Sequence, residues 1–405
     1  MSPPNDETIR WRRIAVPAYG PTILVSVGSG AILPLVALSA RDLGASVGIA
    51  ALIVALIGIG QLVGDLPAGA LAARIGERRA LIAACLLDAA ALLGAFLAKS
   101  LILLGVAVFV AGLAGAVFSL ARQAYLTEAI PIAQRARALS TLGGTSRIGT
   151  FIGPFVAALL VTHFGLASAY GFAAVMSLAA AVLTFLLPDL NAGTRAPVTV
   201  RRSVWSVLAE HRRTLATLGT GVLMIAAARA TRQSIIPLWA ESVGVDAATT
   251  SLIFGVSAGV DMLLFYPGGA IMDRFGRVWV AVPSMIILGT GFILLPFTHD
   301  TLTIGLVAAL MGLGNGISSG IVMTLGADAS PPGARAQFLG GWRLFADLGN
   351  AGGPALITLI TAFGPLAAAS FGLAGLTLAG SAWVARWVPR FAPDRHVVSL
   401  SKDAS

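Results

Sequence analysis

Charge is scarce in this chain of 405 residues: 11% of positions are Asp, Glu, Lys or Arg, against 57% that are hydrophobic. So few charges cannot cover a soluble surface, so the composition excludes an ordinary globular protein and places the chain in lipid. Lysine is nearly missing. Only Lys99 and Lys402 occur, after Ala98 and Ser401, whereas a Walker A loop holds phosphate with a lysine that follows glycine. ATP hydrolysis by that route is excluded. The single Cys85 excludes an intramolecular disulfide and reads as a buried, inert thiol. The four histidines, His163, His211, His299 and His396, fall at helix ends, loops or tails without metal-ligand spacing. With no Ser/His/Asp or Cys/His constellation either, the sequence points to no enzyme, no metal and no cofactor.

What the chain has in quantity is long apolar stretches. Crossing the hydrocarbon core of roughly 30 Å takes about 20 apolar residues, and about twelve such stretches are present. In the first half they run over 14–38, 47–72, 80–98, 102–128, 139–163 and 169–187; in the second, over 214–240, 249–271, 280–297, 303–329, 338–362 and 367–388. The first stretch follows a charged start, as a secretory signal does, but its roughly 25 residues exceed the 7 to 15 of a signal's apolar region. It reads as an uncleaved first span.

The halves repeat each other at an offset of 200 residues. Pro67, Gly69, Arg74 and Gly76 return as Pro267, Gly269, Arg274 and Gly276; Pro131 and Arg135 as Pro331 and Arg335; Gly149, Gly153 and Pro154 as Gly349, Gly353 and Pro354. Glu128 returns as Asp328. So long a period is no solenoid unit; it reads as two copies of one helical bundle, a pattern of two-halved membrane transporters. The expected organisation is a six-helix bundle over 1–188, a cytoplasmic linker over 189–213 that includes Pro197 and has room for a membrane-surface helix, and a second six-helix bundle over 214–405 with a short cytoplasmic tail.

Arginines set the orientation. With both termini inside, the inner side holds clusters such as Arg10, Arg12 and Arg13, Arg74, Arg78 and Arg79, Arg201 and Arg202, and Arg274 and Arg277, while the outer loops hold only Arg41 and Lys99. That asymmetry puts both termini in the cytoplasm. The net charge of +9 is accounted for by this topology and by anionic inner-leaflet lipid, not by nucleic acid, whose readers need a soluble basic face. Abundant alanine, with 25 arginines left when the two lysines are taken from 27 basic residues, points to a high-GC bacterium and hence to its inner membrane.

Charges inside the apolar stretches are the candidate functional groups, because each costs roughly 2.5 to 3.5 kcal/mol on insertion scales. They are Asp65, Asp88, Arg122, Arg147, Arg229, Arg232, Asp261, Arg343 and Asp347. Five arginines against four aspartates suggests mutual pairing. Arg343 and Asp347 are four apart on one helix face and suit a local ion pair or proton and substrate handling. Asp261, near mid-membrane, suits proton binding; Asp65 suits either pairing or transport, and Asp88 a structural role. Arg122, Arg147, Arg229 and Arg232, with Gln233 beside the last, are substrate-cavity candidates along with Arg343; Arg229 and Arg232 can clamp an anion or pair with Asp261. The proton-coupling candidates are Asp261, Asp347 and Asp65.

The loops resemble the major facilitator superfamily. Its motif between helices 2 and 3, and again between 8 and 9, is matched by Gly269, Asp273, Arg274, Gly276 and Arg277. The first copy keeps Gly69, Arg74, Gly76, Arg78 and Arg79 but has Ala73 where the acid stands, which departs from the family's first-half gating latch. The fifth stretch, through Gly149, Gly153 and Pro154, resembles the antiporter motif of proton-driven exporters, with alanines at its last two glycine positions; the echo at Gly349, Gly353 and Pro354 equally suits helix packing. The family exporters' arginine early in helix 4 is lacking between Val108 and Gly112.

The resemblance covers nearly the whole chain and implies an all-α integral membrane fold of about 12 transmembrane helices, in two six-helix bundles related by a pseudo-two-fold repeat. It implies a secondary active transporter of the drug efflux branch: a monomer in the lipid bilayer exporting small amphiphilic compounds in exchange for protons by alternating access. An uptake carrier for an organic anion or metabolite is the alternative, and a non-transporting receptor or scaffold a further one.

Overall fold

The computed structural model describes residues 11–129, 132–187, 204–331 and 335–391. Among these, all regular structure is helical. The principal helices are α1 (Trp11–Ile32), α2 (Val47–Ile75), α3 (Glu77–Phe96), α4 (Leu101–Ala129), α5 (Ile132–Phe164), α6 (Ala167–Leu186), α7 (Thr220–Ser242), α8 (Ala247–Phe275), α9 (Val278–Leu294), α10 (Thr301–Ile317), α11 (Arg335–Thr361) and α12 (Leu366–Phe391). Among the described residues, ten helical segments are long and apolar enough to cross a membrane. An eleventh span follows if α1 and the short helix Leu35–Asp42, bent by 43° from it, count as one. Pro34, at the N-cap of that short helix, supplies no backbone N–H at the break. The remaining helix, α11, has the length to cross but carries Arg343, Asp347 and Asn350, which lower its hydropathy.

Helix ends are specified locally, and the repeat extends to them. Ser46 caps α2 by accepting from the Ile49 N–H, and Asp246, 200 residues on, caps α8 by accepting from the Thr249 N–H and hydroxyl. These Thr249 hydrogen bonds, the hydroxyl's first, hold the Asp246 carboxyl below the usual carboxylate range. At the opposite face, Gly76 and Gly276 take φ of +87° and +99° after α2 and α8, where a side chain would be strained.

Each half is assembled by the same pairings: α1 on α5, α2 on α4, α3 on α4 and α6, and correspondingly α7 on α11, α8 on α10, α9 on α10 and α12. Backbones touch in these contacts. A Cβ on Gly112 would lie 2.3 Å from the Ile57 oxygen, and one on Gly312 would lie 2.4 Å from the Ser257 oxygen, so small residues set the approach. The halves meet through α2 on α11 and α5 on α8. Toward the face bearing Arg41 and Glu241, one apolar core runs through both halves, including Val36, Leu104, Ile235 and Ile304. Toward the face bearing Gly76 and Gly276 the cores are separate, one around Leu81 and Phe118 and one around Phe338 and Trp342.

Of the expected linker, 189–203 lies outside the described residues. The part described includes a short helix, Val204–Glu210, which packs its Val207 and Leu208 against the start of α11 beside Phe338, Trp342 and Gly341. The termini and their Arg10, Arg395 and Lys402 likewise lie outside the described residues.

Candidate functional site

Two polar clusters bridge the halves at mid-helix depth. In the first, Arg147 of α5 pairs with Asp261 Oδ1 of α8 and also donates to Ser319 Oγ. The Arg147 guanidinium lies over the Phe265 ring at 4.8 Å. The second carboxylate oxygen of Asp261 accepts from Asn315 Nδ2 at 2.6 Å. Asp261, expected from its depth to suit proton binding, is therefore not a lone carboxylate: both its oxygens have donors.

In the second cluster, Arg343 Nε of α11 lies 3.0 Å from Asp65 Oδ2 of α2 and 3.6 Å from Asp347 Oδ2 on its own helix. The local pair expected from the four-residue spacing exists, but the partner from the other half is closer. Both acids face the same guanidinium, near enough to repel each other when both are charged. Asp65 Oδ1 and Asp347 Oδ2 are buried without a hydrogen-bond donor. Among these three residues, two acids around one guanidinium leave one negative charge in surplus, with Arg122 in electrostatic reach of Arg343.

Surplus charge of the opposite sign collects near the first cluster. Arg229 donates to the Asn315 carbonyl at 3.2 Å and to Ser318 Oγ at 2.9 Å. Arg232, buried, donates to Ser257 Oγ at 2.6 Å, and that hydroxyl in turn donates a hydrogen bond to the Ala308 carbonyl at 2.5 Å. Neither guanidinium forms an ion pair with a described carboxylate; of the two expected uses, pairing with Asp261 is taken by Arg147. Both keep a buried Nε–H without an acceptor, as does Arg122 on α4, which sits over Phe118 at 5.3 Å and within electrostatic reach of Arg343. Gln233 is half-buried on α7.

Asp88 of α3 stands apart. It accepts from Ser177 Oγ of α6 and, with Gln61 and Cys85, lines a cavity of about 160 Å³ inside the first half. The loop motif divides its labour. Arg78 donates to the Thr184, Phe185 and Leu187 carbonyls and so closes the end of α6, while Arg277 pairs with Asp328 at 2.8 Å. Arg74, Asp273 and Arg274 are exposed, Arg274 over Phe275, and Gly69 and Gly269 lie within α2 and α8. The glycines of α5 bring it against α1: a Cβ on Gly149 would lie 2.5 Å from Ser26 Cβ, and one on Gly153 would lie 2.4 Å from the Val27 oxygen. Their echoes Gly349 and Gly353 do the same for α11 on α7, so the motif as seen packs helices, with Pro154 inside α5.

Sequence reasoning missed Asn315, Ser257, Ser318 and Ser319, which carry no charge to draw notice, and the pair Arg41–Glu241 at 3.0 Å. That last had a signal: the two positions are 200 apart, so one repeat carries an acid where the other carries a base.

A family model described as Major Facilitator Superfamily matches residues 22–354 and 218–403. The chain is 29% identical over 345 residues to Multidrug resistance protein MdtH of Enterobacter sp. (strain 638), covering 81% of this chain and 82% of that one. It is 24% identical over 287 residues to Multidrug resistance protein MdtG of Klebsiella pneumoniae (strain 342), covering 68% and 69%. Among solved structures, the fold is similar to a D-xylose-proton symporter (TM-score 0.72, 15% identity, 95% of this chain and 98% of that one) and to the nucleoside transporter NupG (TM-score 0.73, 14% identity, 91% and 98%).

Proposed function

The chain belongs to the major facilitator superfamily, and from that membership we propose that it is a proton-coupled exporter of small amphiphilic compounds. It is a multi-pass membrane transporter and not an enzyme. The bundles over 1–188 and 214–405 are the two halves that rock about the mid-membrane clusters, joined by the linker over 189–213. The protein works as a monomer in a bacterial inner membrane with both termini cytoplasmic, so that the face with Gly76 and Gly276 is inner. The multidrug names of the relatives support the export reading.

One observation carries the proton coupling: two acids, Asp65 and Asp347, flank the one Arg343 guanidinium on the contact between the halves, and each has a buried oxygen, Asp65 Oδ1 and Asp347 Oδ2, without a donor. A single proton shared by the two acids gives an orphaned oxygen its donor and leaves one carboxylate balanced against Arg343. The α2–α11 contact then closes the outer face. Release of that proton to the cytoplasm leaves two like charges at the contact and favours its opening. Proton entry from outside and substrate exit thereby alternate. Asp261, with both oxygens occupied, holds the α5–α8 contact instead.

The test is uptake of amphiphilic dyes into inverted membrane vesicles, with the proton gradient on and off. Native protein should accumulate dye only with the gradient, and Asp65→Asn and Asp347→Asn should each abolish that dependence, whereas Asp261→Asn should lower the rate but keep it. Accumulation indifferent to the gradient would refute the proposal.

A further inference from the structure

We infer that the α5, α7, α8 and α10 cluster binds the anionic head, a carboxylate or phosphate, of an amphiphilic substrate; this rests on the transporter reading and names its cargo. Three guanidiniums, Arg147, Arg229 and Arg232, surround Asp261 closely enough for mutual electrostatic influence. The balance is three positive charges to one negative. Arg147 and Asn315 each hold one Asp261 oxygen, and among the described residues no ion pair joins this acid to Arg229 or Arg232. Arg229 and Arg232 are held only by neutral acceptors, the Asn315 carbonyl and the Ser318 and Ser257 hydroxyls. Each also retains a buried Nε–H with no acceptor.

Such an arrangement is costly in a membrane protein unless something completes it, because uncompensated charge and unpaired donors are both penalised at low dielectric. A neutral compound does not repay the charge, and a cation adds to it. An anion with two or more acceptor oxygens repays both, since guanidinium recognises carboxylate and phosphate through paired N–H donors. The cluster is partly open: the Arg147 and Asp261 side chains keep 21% and 14% of their surface accessible, with Arg232 buried behind them. Phe265, over Arg147, offers an apolar wall to the body of the same molecule. An anionic cargo also suits export, since leaving a cytoplasm that is electrically negative is downhill for it.

The experiment is calorimetric titration of the purified full-length chain in a neutral maltoside detergent with four probes sharing one aromatic body: 2-naphthoate, 2-naphthyl phosphate, 2-naphthylmethanol and 2-naphthylmethylamine. Naphthoate and naphthyl phosphate should saturate, at least about tenfold more tightly than the alcohol or amine. The double variant Arg229→Gln with Arg232→Gln should lose that preference. Arg232→Lys, which keeps the charge, should retain preference for the anions. Amine or alcohol binding as tight as the anions in the native protein overturns the inference, as does unchanged anion binding in a double variant that elutes and melts as a folded protein. If the double variant does not fold, the native ranking of the four probes decides. A parallel titration in nanodiscs of neutral and of anionic lipid separates the sources: weakening by anionic lipid assigns the same pocket to lipid headgroups and overturns the substrate role. No gradient is present, so anion binding without gradient-driven transport refutes proton coupling alone, and gradient-driven transport without head-group preference refutes this inference alone.

Discussion

Adding one methyl group at Gly58 should shift the balance between the two faces of the protein. Gly58 sits where α2 crosses α11 on the outer side, and a Cβ there would lie 2.6 Å from the Ala351 nitrogen and 2.8 Å from its Cα. Backbone cannot rotate away as a side chain tip can, so relief requires the two halves to separate. Overpacking of this kind costs about 1–3 kcal/mol. If α2 and α11 part on that side when the outer face opens, the cost falls on the outer-closed state alone, and the closed-to-open ratio falls about 5- to 150-fold. The gain in helix propensity from Gly→Ala is common to both states and cancels in the ratio. Gly60→Ala supplies the contrast. Its Cβ would lie 2.2 Å from the Phe109 oxygen of α4, a contact inside one half, so it should lower the melting temperature without moving the ratio. The assay is the distance between spin labels at Lys99→Cys and His299→Cys, exposed positions of the two halves near the outer face, in a background where buried Cys85 is replaced by Ser. A longer-distance population that grows with Gly58→Ala and not with Gly60→Ala is expected. Equal distributions in both variants would refute the idea that this crossing opens during transport.

Two further outcomes follow from the ion pairs and caps. Arg147→Ala strands Asp261 between Asn315 and the protein interior, and should lower stability by about 3 kcal/mol, the lower end for breaking a buried pair; exchanging the two residues as Arg147→Asp with Asp261→Arg should recover part of it in thermal melts. Asp246 stabilises the start of α8 through Thr249. Because its folded carboxyl sits below the usual range, that contribution is complete above about pH 4 and fades as pH falls through the lower folded value. Melting temperatures of native and Asp246→Asn protein should therefore diverge least at acid pH, and a constant difference would show that the cap charge is irrelevant.

Much of the fold was legible because membranes impose simple rules. Apolar stretches had to be helices with their backbone groups paired internally, and the 200-residue offset showed that one bundle was built twice. Even the caps follow it, as Ser46 and Asp246 do. The charges within the spans were legible too, since each is expensive enough in lipid to need a reason. Their partners were not. Asp65 and Arg343 are 278 positions apart, and no spacing rule connects α2 to α11. The reading of Asp261 as a proton-binding acid came from depth along one helix, which contains no information about Arg147 on α5 or Asn315 on α10.

The amino-acid order by itself determined the class of the molecule: helical, membrane-spanning and duplicated, with arginines and acids placed within the bilayer. Tertiary structure decided which charge answers which. It joined Asp65 and Asp347 to Arg343 on one crossing and Asp261 to Arg147 on the other, with Arg229 and Arg232 held nearby by neutral acceptors and Arg122 in reach of Arg343, so that charge surpluses remain beside the pairs. Those surpluses arise from packing between helices far apart in the chain, where a few ångströms settle whether a charge has a partner. Composition counts the charges but cannot place them.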